Sequence, residues 1–301
     1  MPDDLYQAPV PPKVSVILAV RNQAAELRRA IAALEASRGR EQFEILVVDR
    51  ASDDETAELN EEFPQVILLL LPHDFGATKA MNIATRTAKG DCLLFLSPSV
   101  EVESGTVMAL AERIENDAAA VAVCPLLVES DGNPIPQILP LPDRAFFSRA
   151  AEQPVAGSVP DIVPHVDKDG GKDSIDVAYA SGDALMVRRQ FVGGMNYFDR
   201  RLGHHWADAD LALQIRRAQK KIRICTSIRA RWHAPAATEP NDVAHQADRV
   251  LGGAVLLGKY FGFFPGFAFR TGATLKALVT FKLGLFSALL GGQKLDGGGA
   301  G

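Results

Sequence analysis

Cysteine is scarce in this 301-residue chain: Cys92, Cys124 and Cys225 are odd in number and far apart. They supply neither a disulfide framework nor a zinc site and fit a reducing compartment. Long apolar runs are lacking as well. No uninterrupted stretch reaches the roughly 20 residues that span a bilayer; in the nearest, residues 272–290, Lys276 and Lys282 intervene. The N-terminus, MPDDLYQAPVPPK, is acidic and proline-rich where a secretion signal is basic and then apolar. Residues 1–12 are therefore expected to form an extended or disordered arm, and the expected location is the cytoplasm. Excess positive charge is missing too. The 32 Lys+Arg and 37 Asp+Glu leave a net charge of −5, which gives no electrostatic reason to expect nucleic acid as a partner. What remains, 47% hydrophobic and 23% charged residues, is ordinary for a globular chain with a sizeable core.

Charge and aromatics are unevenly spread. Residues 243–301 carry +4 and seven of the fifteen phenylalanines, whereas residues 1–242 carry −9. That shift predicts a boundary near residue 240, with a main domain over 13–240 and a C-terminal segment over 241–301. If residues 272–291 form one helix, Leu278, Leu285, Phe286 and Leu289 lie opposite Lys276, Thr280 and Ser287. Such a stripe suits a bilayer interface with lysines near anionic head groups, or packing on the main domain or a dimer partner. The tail, Gly297-Gly298-Gly299-Ala300-Gly301, is expected to be disordered.

Short apolar runs alternate with helical patterns over the first 130 residues. Strands are predicted at 14–20, 43–48, 66–71, 92–96 and 119–124, and helices at 55–63, 78–88 and 105–114, with helix-like spacing at Ala25, Leu27, Ile31 and Leu34. This alternation argues for crossover units and a mostly parallel sheet covered on both faces. Ligands of such sheets bind beyond the carboxyl ends of the strands. Residues 127–175 differ: polar and proline-rich, they read as a functional lid or an insertion.

Arg21-Asn22 follows the first strand, and Asp49-Arg50-Ala51-Ser52-Asp53-Asp54 follows the second. A carboxylate at a strand end can bind a base imide or a ribose hydroxyl. Ser52, Asp53 or Asp54 can equally cap the next helix, whereas Asp49 starts no helix.

Several motifs then recur in a recognisable order. They are the first strand, the Val47-Val48-Asp49 strand end with its Ser/Asp turn, Gly76-Ala77-Thr78-Lys79-Ala80-Met81-Asn82, and Ala88-Lys89-Gly90-Asp91 before residues 93–96. Tyr179-Ala180-Ser181-Gly182, Gly194 through Phe198-Asp199-Arg200, Asp208-Ala209-Asp210-Leu211 and Trp232-His233 follow. Over residues 13–235 this set resembles the family 2 glycosyltransferases of the GT-A fold, in a rhamnosyltransferase-like branch. The resemblance implies an α/β, Rossmann-like, mostly parallel mixed sheet flanked by helices, with a C-terminal helical appendage. It divides the main domain into a nucleotide-binding half, 13–126, and an acceptor half, 127–240. It also implies inverting transfer of a sugar from a nucleotide-sugar donor to a glycan or lipid-linked acceptor in cell-surface polysaccharide synthesis, at the inner face of the membrane.

By the same resemblance Ala19, Arg21, Asn22, Asp49, Ser52, Lys79, Asn82 and Ser97 bind the nucleotide, and Asp208 is the base that accepts the acceptor proton. Ser181, Gly182, Asp183, His205 and Asp210 line the acceptor and donor pocket. On local sequence alone Asp208 reads equally well as a helix N-cap.

One motif departs from the family. Relatives place one or two aspartates after the strand equivalent to 92–96, where they ligate a divalent cation on the diphosphate. Here the residues are Ser97-Pro98-Ser99-Val100-Glu101. Neutral hydroxyls are poor ligands for Mg²⁺ or Mn²⁺, so the metal is expected to be weakly bound or absent. Ala207 and Arg50 also stand where acids are common. Three consequences are open. Glu101 and His233 hold a metal in altered geometry; a cation such as Lys79 stabilises the diphosphate instead; or the chain binds nucleotide or glycan as a non-catalytic scaffold. In a strand continuing from Leu96, Glu101 is expected about 13 Å beyond Ser97.

Overall fold

A computed structural model describes residues 11–143, 162–164, 173–235 and 242–292. Most of the expected N-terminal arm, the middle of the 127–175 segment and the glycine-rich tail lie outside the described residues. One nine-stranded sheet runs in the order β3-β2-β1-β4-β8-β6-β9-β5, with β7 also on β9. Its first half is the predicted parallel unit: β1 (Val14–Val20) between β2 (Phe43–Asp49) and β4 (Cys92–Leu96), with β3 (Ile67–Leu70) outside β2.

The second half is mixed. The strand β8 (Ala184–Arg188) is antiparallel to both β4 and β6 (Ala120–Val128), β9 (Lys221–Trp232) is parallel to β6, and β5 (Val100–Val102) and β7 (Ser174–Val177) are antiparallel to β9.

Side chains alternate across the sheet as the two-residue period requires. From β4, Leu93 and Phe95 enter one core and Cys92, Leu94 and Leu96 the other. The second core is closed by α1 (Ala24–Glu35), α2 (Leu59–Glu62) and α4 (Thr106–Glu115), through Leu27, Ile31, Leu34, Leu59, Val107, Leu110 and Ile114. The first core is closed by α3 (Ala77–Thr87) and α6 (Ala207–Arg217), while α5 (Arg189–Gly194) contributes Val192. Burying both faces explains the near-continuous apolar runs of the central strands.

The C-terminal segment departs from the sequence expectation. It forms α7 (Val243–Phe261), α8 (Phe263–Val279) and α9 (Leu283–Gly291), so residues 272–291 are two helices, not one. The Thr280 hydroxyl donates to the Lys276 carbonyl at 2.7 Å, Phe281 takes a left-handed φ of 55°, and the Lys282 N–H closes on the Ala277 carbonyl at 2.9 Å. These bonds satisfy the last carbonyls of α8 and turn the chain back. The expected apolar stripe is therefore split. Leu289 packs with Ala277, Ala247 and Leu251 in a small third core, Leu285 and Phe286 are half-buried, and Leu278 faces solvent. Phe263, Phe264, Phe267 and Phe281 are exposed, from 57% to 86%. No helix among the described residues is long and apolar enough to cross a membrane.

Candidate functional site

The carboxyl ends of β1 and β2 lie side by side, Val20 opposite Asp49. Asp49 is buried, and its Oδ1 accepts from the Ser52 N–H at 3.0 Å and from the Ser52 hydroxyl. Ser52 Oγ in turn accepts from the Asn22 N–H at 2.9 Å, and Asn22 Oδ1 accepts from the Asp53 N–H at 2.8 Å. Asn22 and Ala51 both take left-handed φ, 54° and 55°, so the two loops are shaped around one another. Asp54 is the cap: it receives the Thr56 N–H at 3.1 Å and also the Ala24 N–H at 2.9 Å, tying α1 to the turn. Ala19, the penultimate residue of β1, pairs with Val48 beside this network.

Asp208 is the second residue of α6, whose N-cap is Trp206, so it does not cap the helix. Its Oδ1 accepts from the Ala209 N–H at 2.8 Å. Burial pushes its carboxyl above the ordinary aspartate range, and the negative charge of Asp183 adds to that rise; hydrogen bonds from Tyr179 and Ala209 oppose it. Asp183 is raised by burial as well and accepts a short hydrogen bond from the Ser181 hydroxyl. Gly182 sits against this pair, where a Cβ would stand 3.6 Å from that of Asp208. Tyr179, first residue of the Tyr179-Ala180-Ser181-Gly182 motif, is thus part of the acid cluster.

The Asp183 carbonyl accepts from the Ser97 N–H at 2.7 Å, which joins the carboxylates to the turn after β4. That turn corrects the extended-strand expectation for Glu101. The Ser97 carbonyl receives the Val100 N–H at 2.9 Å, and Ser97 Oγ receives the Ser99 N–H at 3.2 Å. The chain bends and starts β5, where Glu101 pairs with Arg231. Arg231 and His233 share a face at two-residue spacing, so the His233 ring reaches Glu101 Oε2 at 2.8 Å, with the Arg231 guanidinium 3.6 Å from Oε1. A divalent cation would find two donors here, engaged with each other and beside a fixed positive charge. Hard cations take more oxygen ligands than that. No group of three His, Cys, Asp or Glu suited to a metal occurs among the described residues. Among the described residues, Glu101 and His233 alone do not fit a resident divalent ion.

The remaining candidate residues have other surroundings. Asn82 is buried and makes a closed pair with Phe198, its amide donating to the carbonyl at 2.8 Å and its oxygen accepting from the N–H at 3.0 Å. It splints α3 to the 195–199 loop. Lys79 lies 5.3 Å over the Phe75 ring, on the same side of α3 as Asn82. Asp210 is fully buried, two residues after Asp208 and on another face of the helix, held by Lys259 and Tyr260 of α7. It is no pocket residue. His205 stacks edge-on against His204 at 4.8 Å.

Sequence reading missed a cluster beside the strand ends. Asp74 lies 3.4 Å from Arg21 and 3.5 Å from the buried Arg50. His204 Nδ1 lies 2.9 Å from the Arg50 guanidinium and accepts the Ala77 N–H at 3.2 Å, while the His204 backbone N–H donates to Asp248 at 2.7 Å. Gly203 (φ 69°) passes so close to Asp248 that a Cβ would overlap its carboxylate. Glycine is required at that crossing. Only the adjacent histidines hinted at it.

Residues 15–165, half of the chain, match the family described as Glycosyl transferase family 2. The chain belongs to that family. It is 25% identical over 244 residues to the O-antigen biosynthesis protein RfbC of Myxococcus xanthus, covering 79% of this chain and 18% of that protein. It is 29% identical over 125 residues to the uncharacterised protein MT1568 of Mycobacterium tuberculosis (strain CDC 1551 / Oshkosh), covering 41% of this chain and 39% of that one. The chain thus spans well under half the length of these curated relatives.

Among solved structures it resembles GalNAc-T7 with UDP, GalNAc and Mn²⁺ (TM-score 0.62, 16% identity, 80% of this chain and 47% of that one). It also resembles the mannosyltransferase PcManGT of Pyrobaculum calidifontis with GDP-Man and Mn²⁺ (TM-score 0.53, 18% identity, 97% and 80%). A third likeness is to residues 1–349 of S. aureus TarS (TM-score 0.52, 16% identity, 92% and 80%). These likenesses establish the fold: this family 2 chain has the GT-A architecture.

Proposed function

We propose that this family 2 chain is an inverting glycosyltransferase that moves a sugar from a nucleotide-sugar donor to a glycan or lipid-linked acceptor in cell-surface polysaccharide synthesis. The observation that carries the reading is the coupled pair Asp183 and Asp208 beside the Ser97 turn. A general base needs a pKa near the working pH, and burial with a like charge moves a carboxylate in that direction. Asp208 takes the acceptor hydroxyl's proton as that oxygen attacks the anomeric carbon from the face opposite the diphosphate. The bond from the anomeric carbon to the diphosphate breaks, its electron pair leaves with the nucleoside diphosphate, and the configuration inverts.

Asp49, held by Ser52 and Asn22, contacts the base or ribose. Arg21, the more exposed of the two arginines that share Asp74, supplies counter-charge to the diphosphate. The relatives named for O-antigen biosynthesis and solved with UDP or GDP-Man support the donor class and the pathway class. The exposed phenylalanines of α8, with Lys276 and Lys282, support peripheral attachment to the inner face of the membrane.

A second reading, a nucleotide- or glycan-binding scaffold without turnover, is favoured by the serines at 97 and 99. A thermal-shift screen of nucleotides and sugar nucleotides, with and without Mn²⁺, followed by transfer assays, decides between them. Stabilisation by a sugar nucleotide with turnover supports the enzyme. Stabilisation without turnover on any acceptor supports the scaffold. No stabilisation by any nucleotide or sugar nucleotide overturns the enzyme and the nucleotide-binding scaffold alike.

A further inference from the structure

A cleft of about 590 Å³ opens between α3, the 195–201 loop and the end of α7, apart from the strand-end pocket. None of Asp49, Ser97 and Asp208 lines it. Its charged lining is Lys79, Arg86, Arg200, Arg201 and Lys259, against Asp199. Asp199 pairs with Arg201 at 2.9 Å and lies 3.9 Å from Lys259, which also serves Asp210. Asp199 and Asp210 thus serve Arg201 and Lys259, and Arg86 and Arg200 add further positive charge to the cleft.

Two of the cations rest on aromatic rings. The Arg86 guanidinium lies 4.8 Å over Tyr197, and the Lys79 ammonium 5.3 Å over Phe75. Cation–π contacts hold such groups in place without neutralising them. The wall that carries Tyr197 is shaped by consecutive left-handed residues, Asn196 and Tyr197 at φ 61° and 64°. An aromatic residue rarely adopts that conformation, and such strain gathers at ligand clamps. Forked guanidiniums in a fixed frame suit phosphate oxygens.

The cleft also has an apolar neighbour. Lys259 precedes Phe263 by four residues, so their Cα atoms lie within about 14 Å of each other. Phe263, Phe264 and Phe267 are exposed, with the Phe263 and Phe267 rings stacked at 5.8 Å. A dry ridge next to a basic cleft matches the two layers of a membrane surface, acyl chains and phosphates.

We propose that this cleft binds the phosphate or diphosphate group of a membrane lipid, with the phenylalanine ridge of α8 in the interface beside it. The proposal rests on the membrane-surface reading of the C-terminal helices. The lipid phosphate has two sources: a bulk phospholipid head group, or the diphosphate of a lipid-linked acceptor.

The test is flotation of the full chain with three vesicles: neutral phosphatidylcholine, the same with phosphatidylglycerol, and the same with a polyprenyl diphosphate at matched surface charge. The variants are Arg86→Gln/Arg200→Gln and Phe263→Ser/Phe264→Ser. Both acidic vesicles should recruit wild type over neutral ones, and the arginine pair should weaken that recruitment roughly 30-fold. The phenylalanine pair should weaken binding to all three. Stronger recruitment by the polyprenyl diphosphate assigns the site to a lipid-linked acceptor; equal recruitment assigns it to bulk head groups. A double-arginine variant that binds acidic vesicles as wild type does overturns the cleft. Wild type that floats with none of the vesicles overturns the cleft and the membrane reading together. Thermal shift with nucleotides, read in parallel on the same variants, should be unchanged, which keeps failure at the cleft separate from failure at the donor site.

Discussion

Lys259 Nζ lies 2.7 Å from Asp210 Oδ1, and Asp210 has no exposed surface. The Tyr260 hydroxyl donates to the same carboxylate at 2.6 Å. Asp210 and Asp208 are two residues apart on α6, about 200° around the helix. The face behind the proposed base is thus clamped by α7, a helix from the C-terminal segment.

Removing that clamp should loosen the site before it changes any chemistry. Asp210→Ala leaves Lys259 and Tyr260 without their shared acceptor and should cost about 2–3 kcal/mol of stability, the scale of hydrogen bonds to a charged group. Tyr260→Phe should cost about half as much. Burial and Asp210 both push the Tyr260 hydroxyl above the usual phenol range, so it stays a donor throughout the working pH range. Thermal unfolding of the two variants measures the difference, and an unaltered Asp210→Ala would show the clamp to be idle.

Asp208→Asn keeps the size and removes the basicity. Turnover should fall by about 10²–10⁴ with nucleotide binding intact. The same variant should be more stable than wild type at neutral pH. A carboxyl whose folded pKa is raised binds its proton more tightly in the native state, so its contribution falls as pH climbs from the ordinary aspartate value through the raised one. Asparagine has no such charge to desolvate. A Tm that drops at pH 7 would contradict the burial argument.

The pH profile of transfer should show an acidic limb above the ordinary aspartate range, since Asp208 must be unprotonated to act. Asp183→Asn deletes the like charge facing it, so the limb should move to lower pH. If the limb stays in place, the two carboxylates are not coupled.

Asp49→Ala should weaken nucleotide binding by roughly tenfold to a hundredfold, the scale of a lost charged hydrogen bond. Ser52→Ala separates contact from loop support, because it removes the hydroxyl bond to Asp49 and the Asn22 contact while the backbone N–H bond to Asp49 stays. Isothermal titration of both variants distinguishes a direct partner from a positioning one.

Ser99→Asp places a hard ligand in the turn after β4. Ser99 is buried and its carbonyl receives the His233 N–H at 2.8 Å, so the backbone of the turn is already fixed. Nucleotide binding should become more dependent on Mn²⁺ than in wild type. Tight Mn²⁺ binding by wild type, unimproved by the substitution, would refute the argument from the missing carboxylates.

Strands buried on both faces were legible in the sequence: β1 and β4 begin and end where their apolar runs do. The three-residue β5 was not, because Val100 and Val102 flank a charge and become a strand only by pairing with Ala230 and Trp232, about 130 residues away. The break at residues 280–282 was hidden because threonine, phenylalanine and lysine carry no stop signal, and the turn depends on α9 finding the third core. Asp49 and Asp208 stood out by position after strand and motif. Asp74, His204 and Asp248 did not, since their bonds join three segments more than 40 residues apart. Asn82 and Asp210 misled for a related reason: a motif fixes where the backbone goes and leaves open what each polar side chain meets.

The crossing of Gly203 over Asp248 has a consequence for cutting the chain. The composition shift near residue 240 invites a shortened version ending there. Such a fragment would lose the carboxylate that receives the His204 N–H and the Arg249 carbonyl that receives the Trp206 indole N–H at 2.8 Å. Trp206 is the residue from which the helix that carries Asp208 starts. The cut would fall outside every motif of the family and still unseat the loop that sets Asp208 in place, so dissection of this protein should keep α7 with the sheet.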